Sequence, residues 1–344
     1  MSTRRDALVA LPLLCAASLG AQTPRGDQPK RLGLIDIGSA PQKVSPNQVL
    51  EDERPFWALM KMKGWIVGDN ILVERLYGEW KVERLAGLAQ ELVRRRVDVI
   101  LCDSTEEAQI AAARATRSIP IVFDGAFLPE EQGLIDSYAR PGRNSTGTTM
   151  YTWSEFSAKR LELVRAVAPD ARRLSWLWGG DALSFETVAG GRFDMAPALE
   201  AAANALGFET RFHIVRTPQD IDRVFAEVTA WRAQAISAGG LPVWDARESV
   251  VGLALRHRIP SAFSHRGYAD AGGLLSYGVS VGELESLQLR RVEYIDRILR
   301  GGKPADLPVI QPSRYELVLN LRTAKALGLS LPRSLLQRAD ELIQ

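Results

Sequence analysis

Short apolar runs alternate with helical patterns along most of this chain, and that alternation constrains the fold more than any other feature. "RLGLIDIGS" reads as a strand and a helical stretch runs through "PFWALMKMKGW". "NILVERLYG" is a second strand. "KVERLAGLAQELVRRR" is a helix with apolar residues at Val82, Leu85, Leu88, Ala89 and Leu92. "VDVILCD", the helix "TEEAQIAAARATR" and the strand "IPIVFDG" complete the first series. Strands that are apolar on both faces, separated by amphipathic helices, imply a parallel sheet covered on both sides.

The pattern restarts after "PGRNSTGTT". "SEFSAKRLELVRAVAP" is a helix, "RRLSWLWGG" a strand and "APALEAAANALGFE" a helix. "TRFHIVRT", "QAISAGG" and "IPSAFS" are further strands, separated by the helices "QDIDRVFAEVTAWR" and "DARESVVGLALRHR". "GGLLSYGVS" leads into the long helix "ELESLQLRRVEYIDRILRG", and a proline-broken tail adds one extended segment and a short helix. With 344 residues, the chain exceeds one ordinary core. The expectation is two similar parallel-sheet, Rossmann-like α/β lobes in tandem.

The first 21 residues differ from the rest. "MSTRRD" is basic, "ALVALPLLCAASL" is apolar and too short to span a bilayer, and "GAQ" offers small residues for cleavage. This is the layout of an export signal, cleaved near Ala21, and it places the mature chain in the periplasm. Arg4-Arg5 partly matches a twin-arginine signal, with Ala7 where an aromatic is usual, so the twin-arginine and general secretory routes both stay open. Lipidation of Cys15 is disfavoured by the preceding Leu14. Removal of Cys15 leaves Cys102, inside an apolar strand beside Asp103, as a small core residue.

Several chemistries lack the residues they need. A dinucleotide site wants G-x-G-x-x-G after the first strand, and "DIGSAPQKV" has one glycine and a proline there. No phosphate-binding loop of the Walker type occurs, and the three histidines form no metal spacing, so no cofactor or metal is expected. "GVSVG", residues 278–282, matches the nucleophile-elbow pattern of an exported serine hydrolase, but every histidine precedes Ser280, against the hydrolase order. With 43 basic and 41 acidic residues, net charge is +2, too balanced for a nucleic-acid footprint. A ligand-sensing regulator would need a DNA-binding helix-turn-helix where this chain carries an export signal.

In an open parallel sheet, ligands sit beyond the carboxyl ends of the strands, where helix N-termini direct free N–H groups outward. Those positions hold Gly38-Ser39, Asp103-Ser104-Thr105 and Asp124-Gly125 in the first unit. In the second they hold Gly179-Gly180-Asp181, Gly239-Gly240 and Ser264-His265. Such a set binds without an acid–base pair or nucleophile, although each Ser, Thr or Asp there can equally serve as a helix N-cap. Tyr151, Trp244 and Tyr277 stand near loops or lobe junctions, with Trp244 and Tyr277 the better candidates for stacking on a ligand. Trp178, on a strand, reads as core. The candidate ligand set is Ser39, Asp103, Ser104, Thr105, Asp124, Tyr151, Asp181, Gly239, Trp244, Ser264 and Tyr277, with no catalytic residue.

The stretches "ARPGRNSTG", "RHRIPSAFSHRGYADAGGLLSYG" and "RILRGGKPADLPVIQPSRYELVLNLRTAKALGLSLP", in this order, resemble the substrate-binding proteins of ABC transporters, in particular their tryptophan-binding, TrpX-like members. The resemblance covers nearly all of residues 31–344. It implies a type I periplasmic-binding-protein fold with three crossovers near residues 146–151, 276–281 and 305–313. Residues 31–147 with 281–305 would form lobe 1, and 148–280 with 306–344 lobe 2. It further implies a monomer that closes on a small-molecule ligand by a hinge and delivers it to an inner-membrane ABC permease with its cytoplasmic ATPase. Two departures stand out. Asp103-Ser104-Thr105-Glu106 replaces the Gly-Thr-Pro-Ala common in such proteins, and "AFLPEE" replaces their Ser-Asp-Pro. The tip of the helix after Thr105 is thereby already supplied with carboxylates, which points to a ligand presenting a cation or hydroxyls to lobe 1.

Overall fold

A computed structural model describes residues 28–40, 54–103, 105–149, 153–180 and 184–344. The first sheet takes β1 (Lys30–Asp36), β2 (Ile71–Tyr77), β3 (Val99–Asp103), β4 (Ile121–Ala126) and β5 (Ser145–Thr149), with α1 (Arg54–Met62), α2 (Val82–Arg94) and α3 (Glu106–Ala115) between them. Its order is β2-β1-β3-β4-β5, parallel throughout. Alternate residues feed two cores. Leu32, Leu34, Val99 and Leu101 pack on one face, and Ile35, Ile100 and Cys102 join α2 and α3 on the other. Cys102 is fully buried, as its apolar setting implies.

The fifth strand is unexpected, because "STGTT" carries no strand signal. Its five residues are all buried, and three of their four hydroxyls find distant partners. Thr146 Oγ1 donates to the Leu307 carbonyl at 2.6 Å, Thr148 Oγ1 donates to Asp124 at 2.6 Å, and Ser145 Oγ donates to the Leu134 carbonyl. Gly147 is obligatory, since a Cβ there would lie 1.9 Å from the Phe123 carbonyl oxygen.

The second half contributes α4 (Trp153–Val167), β6 (Arg173–Gly179), β7 (Ser184–Glu186), β8 (Arg192–Asp194), α5 (Ala196–Ala205), β9 (Glu209–Val215), α6 (Ile221–Ala230), β10 (Ala235–Gly239), α7 (Leu241–Asp245), α8 (Arg247–Arg256), β11 (Ser261–Phe263), α9 (Arg266–Asp270) and β12 (Leu275–Val279). Then come α10 (Val281–Leu299), β13 (Tyr315–Asn320), α11 (Leu321–Leu327), α12 (Arg333–Arg338) and β14 (Glu341–Ile343). The second sheet runs β14-β13-β12-β11-β10-β6-β9, with β12–β13 its one antiparallel pair. The tail therefore holds more than the expected extended segment and short helix: two strands complete this sheet. The hairpin β7–β8 is also additional to the expected elements.

The long helix α10 leaves the second sheet and packs on the first. Val292, Ile295, Ile298 and Leu299 join the core of Leu32 and Val99. Arg291, within α10, donates to Asp124 at the end of β4. The chain thus passes between the sheets after β5, after β12 and before β13. The passages are tied together: Thr149 N–H donates to the Ile310 carbonyl at 2.8 Å and Ser280 N–H to the Arg314 carbonyl at 3.1 Å. These tethers fix the line about which the two lobes meet.

Candidate functional site

The carboxyl ends of both sheets face one cleft, and a pocket of about 70 Å³ lies in it. Lobe 1 contributes Ile37 after β1, Trp80 after β2, Phe127 after β4, and Thr105, Glu106 and Glu107 at the tip of α3. Lobe 2 contributes Trp178 to Gly180, Met195, Arg216 and Gly240 to Pro242. The walls are aromatic and apolar, with two acids from one lobe and a cation from the other.

Trp80 reaches the cleft through a strained turn. Glu79 and Trp80 both have left-handed backbones, with φ of 56° and 59°, at on the order of 1–3 kcal/mol each. Three backbone bonds hold the turn. Gly78 N–H donates to the Asp36 carbonyl at 2.7 Å, Glu79 N–H to that of Gly38 at 2.9 Å, and Trp80 N–H to that of Ile37 at 2.7 Å. The ends of β1 and β2 are thereby clasped, and the indole stands over the pocket.

On the facing wall two glycines allow a backbone approach that no other residue permits. Gly240 has φ 90°, and a Cβ there would lie 2.7 Å from Gly179 N and Cα. A Cβ on Gly179 would lie 2.7 Å from Pro242 Cδ. The wall is therefore bare backbone flanked by the Trp178 ring.

Thr105 is the N-cap of α3, yet its side chain makes no cap bond. Its Oγ1 is buried and has no partner. Beside it, burial pushes the Glu106 carboxyl up to about 8, with the charge of Glu107 adding to the effect. Backbone N–H groups of Glu106 and Phe127 donate to that carboxyl and offset part of the rise. A carboxyl held this far above its ordinary value is more common at functional sites than elsewhere.

Of the sequence-predicted residues, Thr105 lines this pocket. Gly239 lies just behind it, against Trp178. Ser39 is exposed beyond Gly38, next to the Trp80 turn. Asp124 is engaged with Thr148 and Arg291. Trp244 packs edge-on against His265 and Tyr268, with Arg247 4.6 Å from its ring centroid. Tyr277 packs with Phe156 and Tyr315 near the lobe junction. Ser264 follows β11, its carbonyl against Gly278. Ser104, Tyr151, Asp181 and the export signal lie outside the described residues, as does the side chain of Asp103. Trp80, Phe127, Met195 and Arg216 were not singled out from sequence, although each follows a strand or lies in the loop before a helix, where the strand-end rule would have found them. Trp178 is core, as read, and also cleft wall.

The elbow serine is a helix cap: Ser280 Oγ accepts the Glu283 N–H at 3.4 Å and starts α10. A Ser175–His213–Glu227 chain does exist, with contacts of 3.1 and 3.3 Å. Ser175 is wholly buried inside the second sheet, out of reach of a substrate. Among the described residues no group of acidic, cysteine or histidine side chains could hold a metal, and no helix is long and apolar enough to cross a membrane.

A family profile described as "ABC transporter substrate binding protein" matches residues 56–343. The chain belongs to that family. Its relatives agree in extent and shape. This substrate-binding protein is 25% identical over 279 residues to a tyrosine-binding protein of Clostridioides difficile (strain R20291), covering 80% of this chain and 76% of that one. A Streptococcus pneumoniae ABC domain solved in complex with L-Trp superposes with a TM-score of 0.72 at 21% identity, over 92% of this chain and all of that one. A conserved domain protein of Vibrio cholerae O1 gives 0.74 at 21% identity with the same coverage. The two-lobed fold is thus shared with periplasmic binding proteins, and the cleft lies between the carboxyl ends of the two sheets.

Proposed function

We propose that this chain is the extracytoplasmic receptor of an ABC importer, capturing a small aromatic, amino-acid-like metabolite between its lobes. It would present the closed complex to an inner-membrane permease driven by a cytoplasmic ATPase. The observation that carries this reading is a single pocket built jointly by α3 and the Trp80 turn of lobe 1 and by the Gly179–Gly240 wall of lobe 2. A solute held there touches both lobes, so it favours the arrangement in which they meet.

The rings of Trp80, Phe127 and Trp178 suit a flat solute, in keeping with the tyrosine and tryptophan named for the relatives. Export through residues 1–21 places the mature protein in the periplasm as a monomer, separate from the permease until it docks.

The reading is tested on the mature chain by a thermal-shift screen of amino acids, aromatic acids, amines and other small metabolites. A ligand at a hundred times its Kd stabilises by about 2.7 kcal/mol, well within detection. Absence of any saturable shift across the screen, or recovery of the protein with cytoplasm on fractionation, overturns it.

A further inference from the structure

We propose that the cleft grips its solute by a positively charged nitrogen seated against Glu106, between aromatic rings, so that the transported class is an organic cation without a carboxylate at that end. An arylalkylamine is the simplest example. The inference rests on the cleft being the binding site and specifies what that site selects.

Three independent features of the pocket point the same way. The first is the tip of α3. A helix N-terminus ordinarily suits an anion, because its first N–H groups are unpaired and its dipole is positive there. Here the Glu106 carboxyl accepts the N–H groups of Glu106 and Phe127, so protein acid already occupies the anion's place. A solute carboxylate arriving at this tip meets two acidic side chains, Glu106 and Glu107, before it meets the helix N–H groups.

The second is Thr105. Its hydroxyl is more than nine-tenths buried, lines the pocket and has no partner within the protein. A buried hydroxyl is costly to leave unpaired, and an ammonium N–H directed at Glu106 can also donate to this oxygen. The third is the ring set. Trp80, Phe127 and Trp178 line the same space, and indole and phenyl faces attract a cation. Acid, hydroxyl and rings together form a cation seat.

The groups facing the seat give the binding a signature. Among the described lining residues the charged ones are Glu106 and Glu107 on α3 and Arg216 after β9, on the opposite lobe. Burial, then the Glu107 charge, raises Glu106 to about 8, so near neutrality its carboxyl is largely protonated. A docking cation favours the ionised form and expels the proton. Affinity for a cation therefore increases as pH rises towards 8, whereas a solute accepting a hydrogen bond from the protonated acid binds less well over the same range.

The experiment is calorimetric titration of the mature chain with phenethylamine, tyramine and benzyltrimethylammonium. 3-Phenylpropionate and 3-(4-hydroxyphenyl)propionate serve as amine-free counterparts and L-tyrosine as the zwitterion. The expected result is binding of cations in preference to both acids and tyrosine. Affinity should rise by up to about 50-fold from pH 6 to pH 8, with proton release seen as a dependence of the heat on buffer ionisation. Glu106→Gln should weaken cation binding at least about 10-fold at pH 8 and abolish the pH dependence, and Thr105→Val provides a second, smaller loss. Tighter binding of tyrosine or of either propionate, or affinity that falls as pH rises, overturns the cation seat and leaves the receptor reading standing. Failure of all six compounds also overturns it, and the receptor reading then stands or falls on the wider thermal-shift screen.

Discussion

Replacing Glu106 by Gln should stabilise this protein at neutral pH even as it removes part of its cleft. The side chain keeps its shape and can still accept the Glu106 and Phe127 N–H groups through its amide oxygen, but it no longer carries an ionisable group. In the unfolded chain the carboxyl ionises at the ordinary value of 4.5, and in the folded chain at about 8. Between those values the folded state holds the extra proton, so stability is fully present below 4.5, falls as pH rises, and levels off above about 8. At ~1.36 kcal/mol per pH unit the interval sets a ceiling of about 4 kcal/mol at pH 8 and about 3 kcal/mol at pH 7. Relaxation, water penetration and loss of one hydrogen-bond partner reduce this, and a gain of about 1–2 kcal/mol at pH 7 is expected. Urea denaturation of wild type and Glu106→Gln at several pH values from 5 to 8.5 measures it. The stability of wild type relative to the variant should fall steadily as pH rises across this interval. Equal slopes, or a variant less stable at pH 8, would refute the argument that a buried, disfavoured acid sits at the tip of α3.

Three further outcomes follow from the same geometry. Arg291→Met removes the partner of Asp124, whose carboxylate is about a quarter exposed beside a nearly buried guanidinium; a loss of about 2–4 kcal/mol is expected in denaturant unfolding, and no loss would mean that α10 is not pinned through this pair. Gly240→Ala places a Cβ against the Gly179 backbone at φ 90°, and should cost at least about 2 kcal/mol and abolish thermal-shift responses to any cleft ligand; a variant binding normally would show that this wall does not form the site. Burial lowers the folded-state values of His213 and His265 below the ordinary 6.5. Their contribution is intact above 6.5 and is lost as pH falls through that value towards the folded one, because the unfolded chain then binds more protons. Below about pH 6.5 this loss opposes the gain from Glu106, so acidification should raise the melting temperature of His213→Gln more than that of wild type; equal changes would show that His213 carries none of the loss.

Much of the architecture was legible because its causes are local. Strands buried on both faces are apolar at most positions, and helices between them show a 3.6-residue period, so β1, β3, β4, β6 and β10 were visible as runs, and the edge strands β2 and β9 by their shorter apolar stretches. β5 was not, because a strand of Ser, Thr and Gly is tolerable inside a protein only through Leu134, Leu307 and Asp124, which the chain brings in from far away. The candidate site divides similarly. The rule that ligands lie at the carboxyl ends of parallel strands located the cleft, and Thr105 is there. Whether a strand-end side chain faces the cleft or the protein depends on its tertiary neighbours. Asp124 is engaged by Arg291 from 167 residues away, and Trp244 by His265 and Tyr268. No local pattern distinguishes these from Trp80, which a double left-handed turn turns towards the pocket.

Unfavourable features also gather in one place. The left-handed pair Glu79–Trp80, the acid Glu106 raised by its surroundings, the unpartnered Thr105 hydroxyl and the glycine pair Gly179–Gly240 all border the same pocket. The first three cost stability and have a cheaper substitute that would keep the fold: a glycine at position 79 or 80, a glutamine at 106, a valine at 105. Left-handed backbones also occur at Arg96, Arg232 and Arg258, and unpartnered buried polar atoms at Trp176, Ser237 and Ser276, so strain is not confined to the cleft. The raised acid and the unpartnered hydroxyl at the tip of α3 do nothing that folding requires, which argues that they are retained for what they do to a solute.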